Sequence, residues 1–108
     1  MAFTVLLTDD AAQDLEELYL HIARQDGWQK AEYILDRIEK AIASFSEYPE
    51  RGCYPYELSS VGIREYREIF FKPYRIIYRF VKDSVHIYLI ADGRRNMQSL
   101  LERRLLHA

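Results

Sequence analysis

The sequence predicts a single domain of the α+β class, in which a helical hairpin packs on a small antiparallel sheet. Two patterns carry this prediction. Apolar residues recur at helical spacing through the first half of the chain, and β-branched and aromatic residues alternate through the second half. The length of 108 residues suits one domain with its own core, so residues 1–108 are interpreted as one unit. The predicted order of elements is β-α-α-β-β-β-α.

The first three elements follow from helix caps and helix breakers. Residues 3–8 are rich in β-forming side chains and predict an opening strand. Residues 8–10 provide N-cap side chains for a first helix, and Gly27 ends that helix because glycine readily adopts a positive φ. A second helix begins near Trp28 and stops at Pro49. The short turn between the two helices favours antiparallel packing.

The second half of the chain predicts an antiparallel meander. Residues 50–62 have no regular period and indicate a loop that crosses from the helices to the sheet. Three strand-like runs follow, joined by short turns, and a last helix begins near Asn96. The three runs are residues 63–71, 74–81 and 85–91.

Composition predicts a cytoplasmic protein. Cys53 is the single cysteine, so an internal disulfide is excluded and nothing suggests an oxidising compartment. The apolar run at the N-terminus is too short for a signal peptide or a membrane span. We therefore expect no membrane partner.

The charge is unevenly distributed along the chain. Its net value is −2, yet residues 9–50 hold eleven acids and four bases, whereas residues 61–108 hold ten bases and five acids. A basic face on the second half suits an anion or an acidic partner, and the alternative is that the helices are acidic and the strands basic by chance. The net value argues against a protein that wraps nucleic acid over its whole surface.

The residues that commonly hold metals or phosphates form no familiar motif. His21, His86 and His107 are far apart and match no metal spacing, and Cys53 has no cysteine or histidine near it in sequence. The glycines are isolated, so no glycine-rich phosphate loop is present. We expect no metal and no cofactor.

Alternation along residues 74–81 separates an aromatic face from a basic one. Arg75 and Arg79 lie opposite the aromatic face and are expected on the exposed side of the sheet. The alternative is that both arginines pair with Glu65 or Glu68 across the sheet. The predicted core face consists of Tyr74, Ile76, Tyr78 and Phe80.

Arginines also follow the third strand of the meander. Arg94 and Arg95 fall where a loop can present them. A guanidinium group stays charged and binds phosphate or carboxylate through two parallel hydrogen bonds, which suits an RNA phosphate or an acidic peptide. The candidate contacts with such a partner are Arg75, Arg79, Arg94 and Arg95.

Five segments of the chain together carry a family resemblance. They are Thr8–Ile22, Ile38–Gly52, Ile63–Arg67, Tyr74–Arg79 and Ala91–Arg95. In this order they resemble the RelE/ParE superfamily of type II toxin–antitoxin toxins, over nearly the whole chain and in agreement with the predicted topology. The resemblance implies a helical hairpin on a small twisted sheet, and a cognate antitoxin whose C-terminal segment wraps and silences the toxin. It also implies that operator DNA is contacted only through the antitoxin complex, and that the four candidate arginines contact the target or the antitoxin.

Two activities compete within this superfamily. RelE-like members cut mRNA on the ribosome, and the resemblance aligns Arg75 and Arg95 with two of their arginines. Their strand lysines fall on or near Tyr66 and Glu68, and their C-terminal tyrosine falls near Leu101. ParE-like members instead poison DNA gyrase.

The departures from the RNA-cutting pattern favour gyrase as the target. Cleavage of RNA needs a group that takes the 2′-hydroxyl proton, and the tyrosine expected for this role is missing. His107 is a candidate substitute, one residue from the end of this sequence. Glu68 would repel phosphate, and ribosome-bound RNases tend to be strongly basic, unlike this chain. Ribosome-dependent RNA cleavage through Arg75 and Arg95 remains the alternative. A folded but inactive relic that still binds an antitoxin is a third possibility.

Overall fold

The computed structural model describes residues 2–106. These residues form an α+β domain of four strands, two long helices and two short helices, with one further turn of 3₁₀ helix and one of π helix. The elements are β1 (Thr4–Leu7), α1 (Asp9–Asp26), α2 (Trp28–Ala43), a 3₁₀ turn (Ser44–Ser46), α3 (Tyr56–Ser59), β2 (Arg67–Phe71), β3 (Tyr74–Val81), β4 (Ser84–Asp92), α4 (Met97–Leu101) and a π-helical turn (Glu102–Leu106). The predicted fold class and order of long elements are confirmed.

The four strands form one sheet in the order β1-β4-β3-β2. The meander of β2, β3 and β4 is antiparallel, as the short turns predict. β1 joins the edge beside β4 in parallel, so the sheet is mixed and not wholly antiparallel. The connection from β1 to the meander runs through the helices, and only a long crossover of this kind permits parallel neighbours.

The helical hairpin forms as its N-cap and its glycine break predict, but α2 ends at Ala43, earlier than the predicted stop at Pro49. The hydroxyl of Ser44 donates to the carbonyl of Ala41 at 2.6 Å, and the chain continues as the 3₁₀ turn. The hydroxyl of Thr8 accepts a hydrogen bond from the amide of Ala11 at 3.1 Å and caps α1. Gly27, with φ of 94°, separates the two helices. Tyr19 on α1 donates a hydrogen bond from its hydroxyl to Glu32 on α2 at 2.6 Å, so the helices lie side by side. No helix within residues 2–106 combines the length and the apolar character that a membrane span requires.

Each face of the sheet carries a separate apolar cluster. The first face packs against α1 and α2, and the second face is covered in part by α3 and α4. The first cluster includes Ile34, Ile38, Phe45, Ile76, Tyr78, Val85 and Ile87. The second includes Leu58, Tyr66, Ile77, Leu89, Met97 and Leu101. The predicted core face of β3 is confirmed, with Phe80 only partly buried against it.

The segment before β2 is less extended than the sequence suggests. β2 begins at Arg67, four residues later than the predicted start at Ile63. The amide of Ile63 donates instead to the carbonyl of Leu58 at 2.9 Å and ends α3, a helix that the loop prediction missed. Gly52 is needed nearby, because a Cβ there would stand 2.6 Å from the carbonyl oxygen of Glu68.

Candidate functional site

Arg75 lies at the centre of an ion cluster on the second face of the sheet. Its Nη1 and Nη2 donate to the two carboxylate oxygens of Glu57 at 2.9 and 2.8 Å, and its Nε donates to Glu68 at 2.6 Å. β2 and β3 place Glu68 and Arg75 on neighbouring strands, whereas α3 supplies Glu57. All three guanidinium nitrogens are therefore bound to carboxylates.

The surroundings of Arg75 explain why the side chain adopts this position. Gly93 packs against its stem, since a Cβ at that position would approach Cδ of Arg75 to 2.7 Å. The ring of Phe70 lies 5.7 Å from the guanidinium carbon. Arg75 is 8% exposed and Glu68 is 4% exposed, so both charges are removed from bulk water.

The expectation that Arg75 lies on the exposed side of the sheet is therefore wrong. The alternation of β3 is as predicted, but α3 and α4 cover this part of the second face. The alternative pairing with Glu68 is confirmed for Arg75. Glu57, the second partner, was missed because it is distant in sequence and lies on a helix within the predicted loop.

The two carboxylates of the cluster have opposite pKa shifts. The hydrogen bonds from Arg75 hold the pKa of Glu57 below its usual value. Burial raises the pKa of Glu68, although the hydrogen bond from Arg75 opposes that rise. The hydrogen bond to Glu57 raises the pKa of Arg75, which stays charged throughout the accessible pH range.

The other three candidate arginines occupy different surroundings. Arg79 is half-buried, and among the residues that the structure describes it pairs with neither Glu65 nor Glu68. Arg94 is exposed and is held by Asp92, whose pKa it lowers through a hydrogen bond of 2.6 Å. Arg95 is exposed too, and within residues 2–106 its guanidinium has no carboxylate partner.

The four candidates are thus not assembled into one site. Arg75 lies beneath Glu57 on the second face, whereas Arg94 and Arg95 line a cleft of about 430 Å³ between α1 and the end of β4. Arg79 lies on β3, opposite His86 of β4. The four arginines lie on β3 or just after β4 in the sequence, but their side chains do not meet in the structure.

A second ion cluster, which the sequence analysis missed, fixes the C-terminal helical segment. Arg104 donates to both carboxylate oxygens of Asp14 at 2.8 and 3.0 Å, and to the carbonyl of Tyr88 at 2.7 Å. Asp14 also accepts a hydrogen bond from the amide of Ile90 at 3.0 Å. Arg104 falls among Leu100, Leu101 and Leu105 in the sequence, and this apolar setting is a signal for a partly buried role.

Positions aligned with the RNA-cutting residues of RelE-like relatives are buried here. Tyr66 is 9% exposed, Glu68 is 4% exposed and Leu101 is 1% exposed. The possible substitute base, His107, lies outside the described residues. In the part of the chain that the structure describes, no three histidine, cysteine or acidic side chains converge as metal ligands would.

Three solved structures share this fold. A chromosomal ParDE toxin–antitoxin system from P. aeruginosa is 18% identical, with a TM-score of 0.69 over 84% of this chain and 96% of that chain. The E. coli toxin RelE, as a free mutant, is 15% identical with a TM-score of 0.64 over 97% and 100% of the two chains. The toxin–antitoxin complex RelBE2 from Mycobacterium tuberculosis is 22% identical with a TM-score of 0.61 over 85% and 92%. The domain has the architecture of RelE/ParE-type toxins.

Sequence comparison narrows this class to one family. The family described as "ParE toxin of type II toxin-antitoxin system, parDE" matches residues 5–97. Toxin ParE3 of Caulobacter vibrioides is 28% identical over 100 residues, covering 93% of this chain and 96% of that relative. The chain belongs to the ParE toxin family of type II toxin–antitoxin systems.

Proposed function

We propose that this toxin arrests growth by poisoning DNA gyrase and that a cognate antitoxin neutralises it. Family membership supports this proposal, because the resemblance to ParE-like members implies gyrase as the target. The observation that carries the choice of target is the state of Arg75. Its three guanidinium nitrogens are bound by Glu57 and Glu68, so it has no free edge for a phosphate.

RNA cleavage through Arg75 and Arg95 remains the second candidate, and the geometry disfavours it. Exchange of Glu57 for an RNA phosphate would leave that carboxylate unpaired beside Glu68, and each would repel the phosphate. Arg95 lines the cleft beside α1, away from the carboxylates that hold Arg75. The arrangement lacks two convergent free cations of the kind that steady a phosphorane.

An apolar groove on the helical hairpin supports the antitoxin part of the proposal. The groove has a volume of about 420 Å³ and lies beside β1, at an edge of the sheet. Its apolar walls can bury side chains of an amphipathic segment, while Glu16 and Glu32 at its border favour basic flanking residues. The apolar wall residues are Leu7, Ala12, Leu15, Tyr19, Leu20 and Leu35.

The proposal includes a cytoplasmic location, which places the toxin with gyrase, and no cofactor. Operator DNA is contacted only by the antitoxin complex. A candidate contact with the target or the antitoxin remains at each of Arg79, Arg94 and Arg95, whereas Arg75 contributes to the fold of the surrounding surface.

Purified toxin tests the choice of target directly. The toxin is added to gyrase with supercoiled plasmid, and in parallel to a ribosome-based translation reaction. We expect loss of supercoiling with accumulation of cleaved plasmid, unaffected translation, and reversal by the cognate antitoxin. Truncated mRNA with intact gyrase activity contradicts the proposal and favours the RNase. No effect in either reaction leaves the inactive relic as the correct interpretation.

A further inference from the structure

The second face of the sheet is only half covered. α3 and α4 pack over Ile77, Leu89 and Ala91, but leave uncovered the part where β1 and the turn between β3 and β4 meet. We call this part the open sheet face. It consists of Thr4, Leu6, Arg79, Val81, Ser84 and His86.

Strand register places these side chains on one surface. Arg79 is the cross-strand partner of His86, and His86 is the partner of Leu6 on β1. Directly opposed residues of neighbouring strands point to the same side of a sheet. Tyr78 and Val85, which precede Arg79 and His86, point into the first core cluster, so Arg79 and His86 point to the other face.

The open sheet face combines an exposed apolar group with a free cation. Leu6 is 48% exposed and Val81 is 39% exposed, while Arg79 and His86 are half-buried. Arg79 pairs with no carboxylate among the described residues, unlike Arg75, Arg94 and Arg104. The surface therefore offers an unneutralised guanidinium and an imidazole beside apolar area.

Tyrosine rings border the open sheet face on its covered side. Tyr66 and Tyr88 pack edge to face with their centroids 5.5 Å apart. Arg79 lies close enough to lower the pKa of Tyr66, against a larger rise caused by burial.

We propose that the open sheet face binds an acidic segment of the target protein, in which a carboxylate contacts Arg79 and His86 and an apolar side chain packs on Leu6. Charge complementarity identifies this occupant, because Arg79 gives the face a permanent cation, His86 adds an imidazole, and none of the six residues of the face is a carboxylate. A nucleic acid is disfavoured, since residues 9–50 of the opposite layer hold eleven acids against four bases and would repel a long polyanion. This inference rests on the proposed function, with gyrase as the target.

The test uses full-length toxin and purified gyrase without DNA, with binding measured by calorimetry. The double variant Arg79→Gln/His86→Gln is expected to bind at least about tenfold more weakly, because it loses a charge-assisted contact. Arg37→Gln, on the exposed side of the helical hairpin, is the matched control and should bind like the wild type. Melting temperature and far-UV circular dichroism confirm that each variant is folded.

Two charged substitutions at Leu6 give an independent measurement. Both Leu6→Lys and Leu6→Glu remove the apolar contact, but Leu6→Lys adds a cation to the open sheet face and Leu6→Glu adds an anion, so Leu6→Lys should bind roughly tenfold more tightly than Leu6→Glu. Equal binding by the two variants, with equal melting temperatures, would overturn the inference, because an acidic partner must distinguish the two charges.

The outcomes separate this inference from the proposed function. If wild-type toxin neither binds nor inhibits gyrase, the proposed function fails and the inference fails with it. If the wild type inhibits gyrase and the double variant does so equally, only the inference fails. Binding of labelled duplex DNA by the wild type that the double variant loses would assign the face to nucleic acid and also overturn the acidic partner.

Discussion

Glu57 holds Arg75 through two parallel hydrogen bonds of 2.8 and 2.9 Å that join a four-residue helix to the centre of the sheet. Glu68 completes the arrangement from the neighbouring strand at 2.6 Å. One cation is thus shared by two carboxylates, in a site where Arg75 and Glu68 are nearly inaccessible to water. Arg75 was expected to contact a partner, but these hydrogen bonds show that it anchors residues 53–66 on the sheet.

The first prediction concerns removal of the shared cation. Arg75→Met leaves Glu68 and Glu57 without a partner and should lower the free energy of unfolding at pH 7 by about 3–5 kcal/mol, as expected when one member of a buried ion pair is deleted. Urea denaturation measures the loss. Adding Glu57→Gln and Glu68→Gln should recover most of it, whereas a single-variant loss below about 1 kcal/mol contradicts the buried network.

The second prediction concerns pH and Glu57. The pKa of Glu57 is lower in the folded protein than its usual value of 4.5. The ionised carboxylate therefore contributes its full stabilisation of the fold above pH 4.5. That stabilisation is lost as the pH falls through the lower pKa of the folded state. Glu57→Gln should therefore be less stable than the wild type at pH 7, and the difference should shrink in acid. A difference that stays constant from pH 7 to pH 3 in urea titrations would show that the ionised carboxylate has no special role.

Glu68 is predicted to show the opposite dependence. Burial raises its pKa above 4.5 in the folded protein, so protonation favours the fold. As the pH falls from above the raised value towards 4.5, the wild type should gain stability relative to Glu68→Gln. The comparison of the two variants in one buffer series is the control, because their relative stabilities must move in opposite directions.

The ion pair between Arg104 and Asp14 gives a fourth prediction. Asp14→Asn removes the charge that binds Arg104 and weakens the acceptor for the amide of Ile90, so we expect a loss of about 1–3 kcal/mol. Hydrogen exchange should accelerate in residues 97–106 and not in β3. Arg103→Gln, whose side chain is exposed, is the control. Unchanged hydrogen exchange in residues 97–106 of Asp14→Asn would show that this ion pair does not hold the C-terminal segment in place.

Alanine should destabilise the fold at two glycines for different reasons. Gly52→Ala places a Cβ at 2.6 Å from the carbonyl oxygen of Glu68 and at 2.7 Å from the hydroxyl of Tyr78, and should cost about 2 kcal/mol or more. Gly27→Ala has open space and meets only the backbone strain of φ 94° and ψ 163°, a region that residues other than glycine rarely adopt, at about 1–3 kcal/mol. Thermal denaturation measures both losses, and a loss at Gly52 below about 1 kcal/mol would contradict the close approach there.

The sequence by itself determined the long elements of the fold and the resemblance to a superfamily. Helical spacing, the cap at Thr8, the break at Gly27 and the alternation of β3 are local properties, and each is set by residues within a few positions of one another. The superfamily resemblance likewise depends on the order of short segments. These predictions can therefore be made without knowing how the elements pack against one another.

Only the tertiary structure decided which arginines are free. Arg75 and Arg79 occupy equivalent positions in the alternation of one strand, yet α3 supplies Glu57 to the first and nothing covers the second so completely. The parallel pairing of β1 and the contact between Arg104 and Asp14 depend in the same way on residues far apart in sequence. Charge pairing and burial arise from long-range contacts, and a local pattern contains no information about which distant element fills the space above a side chain.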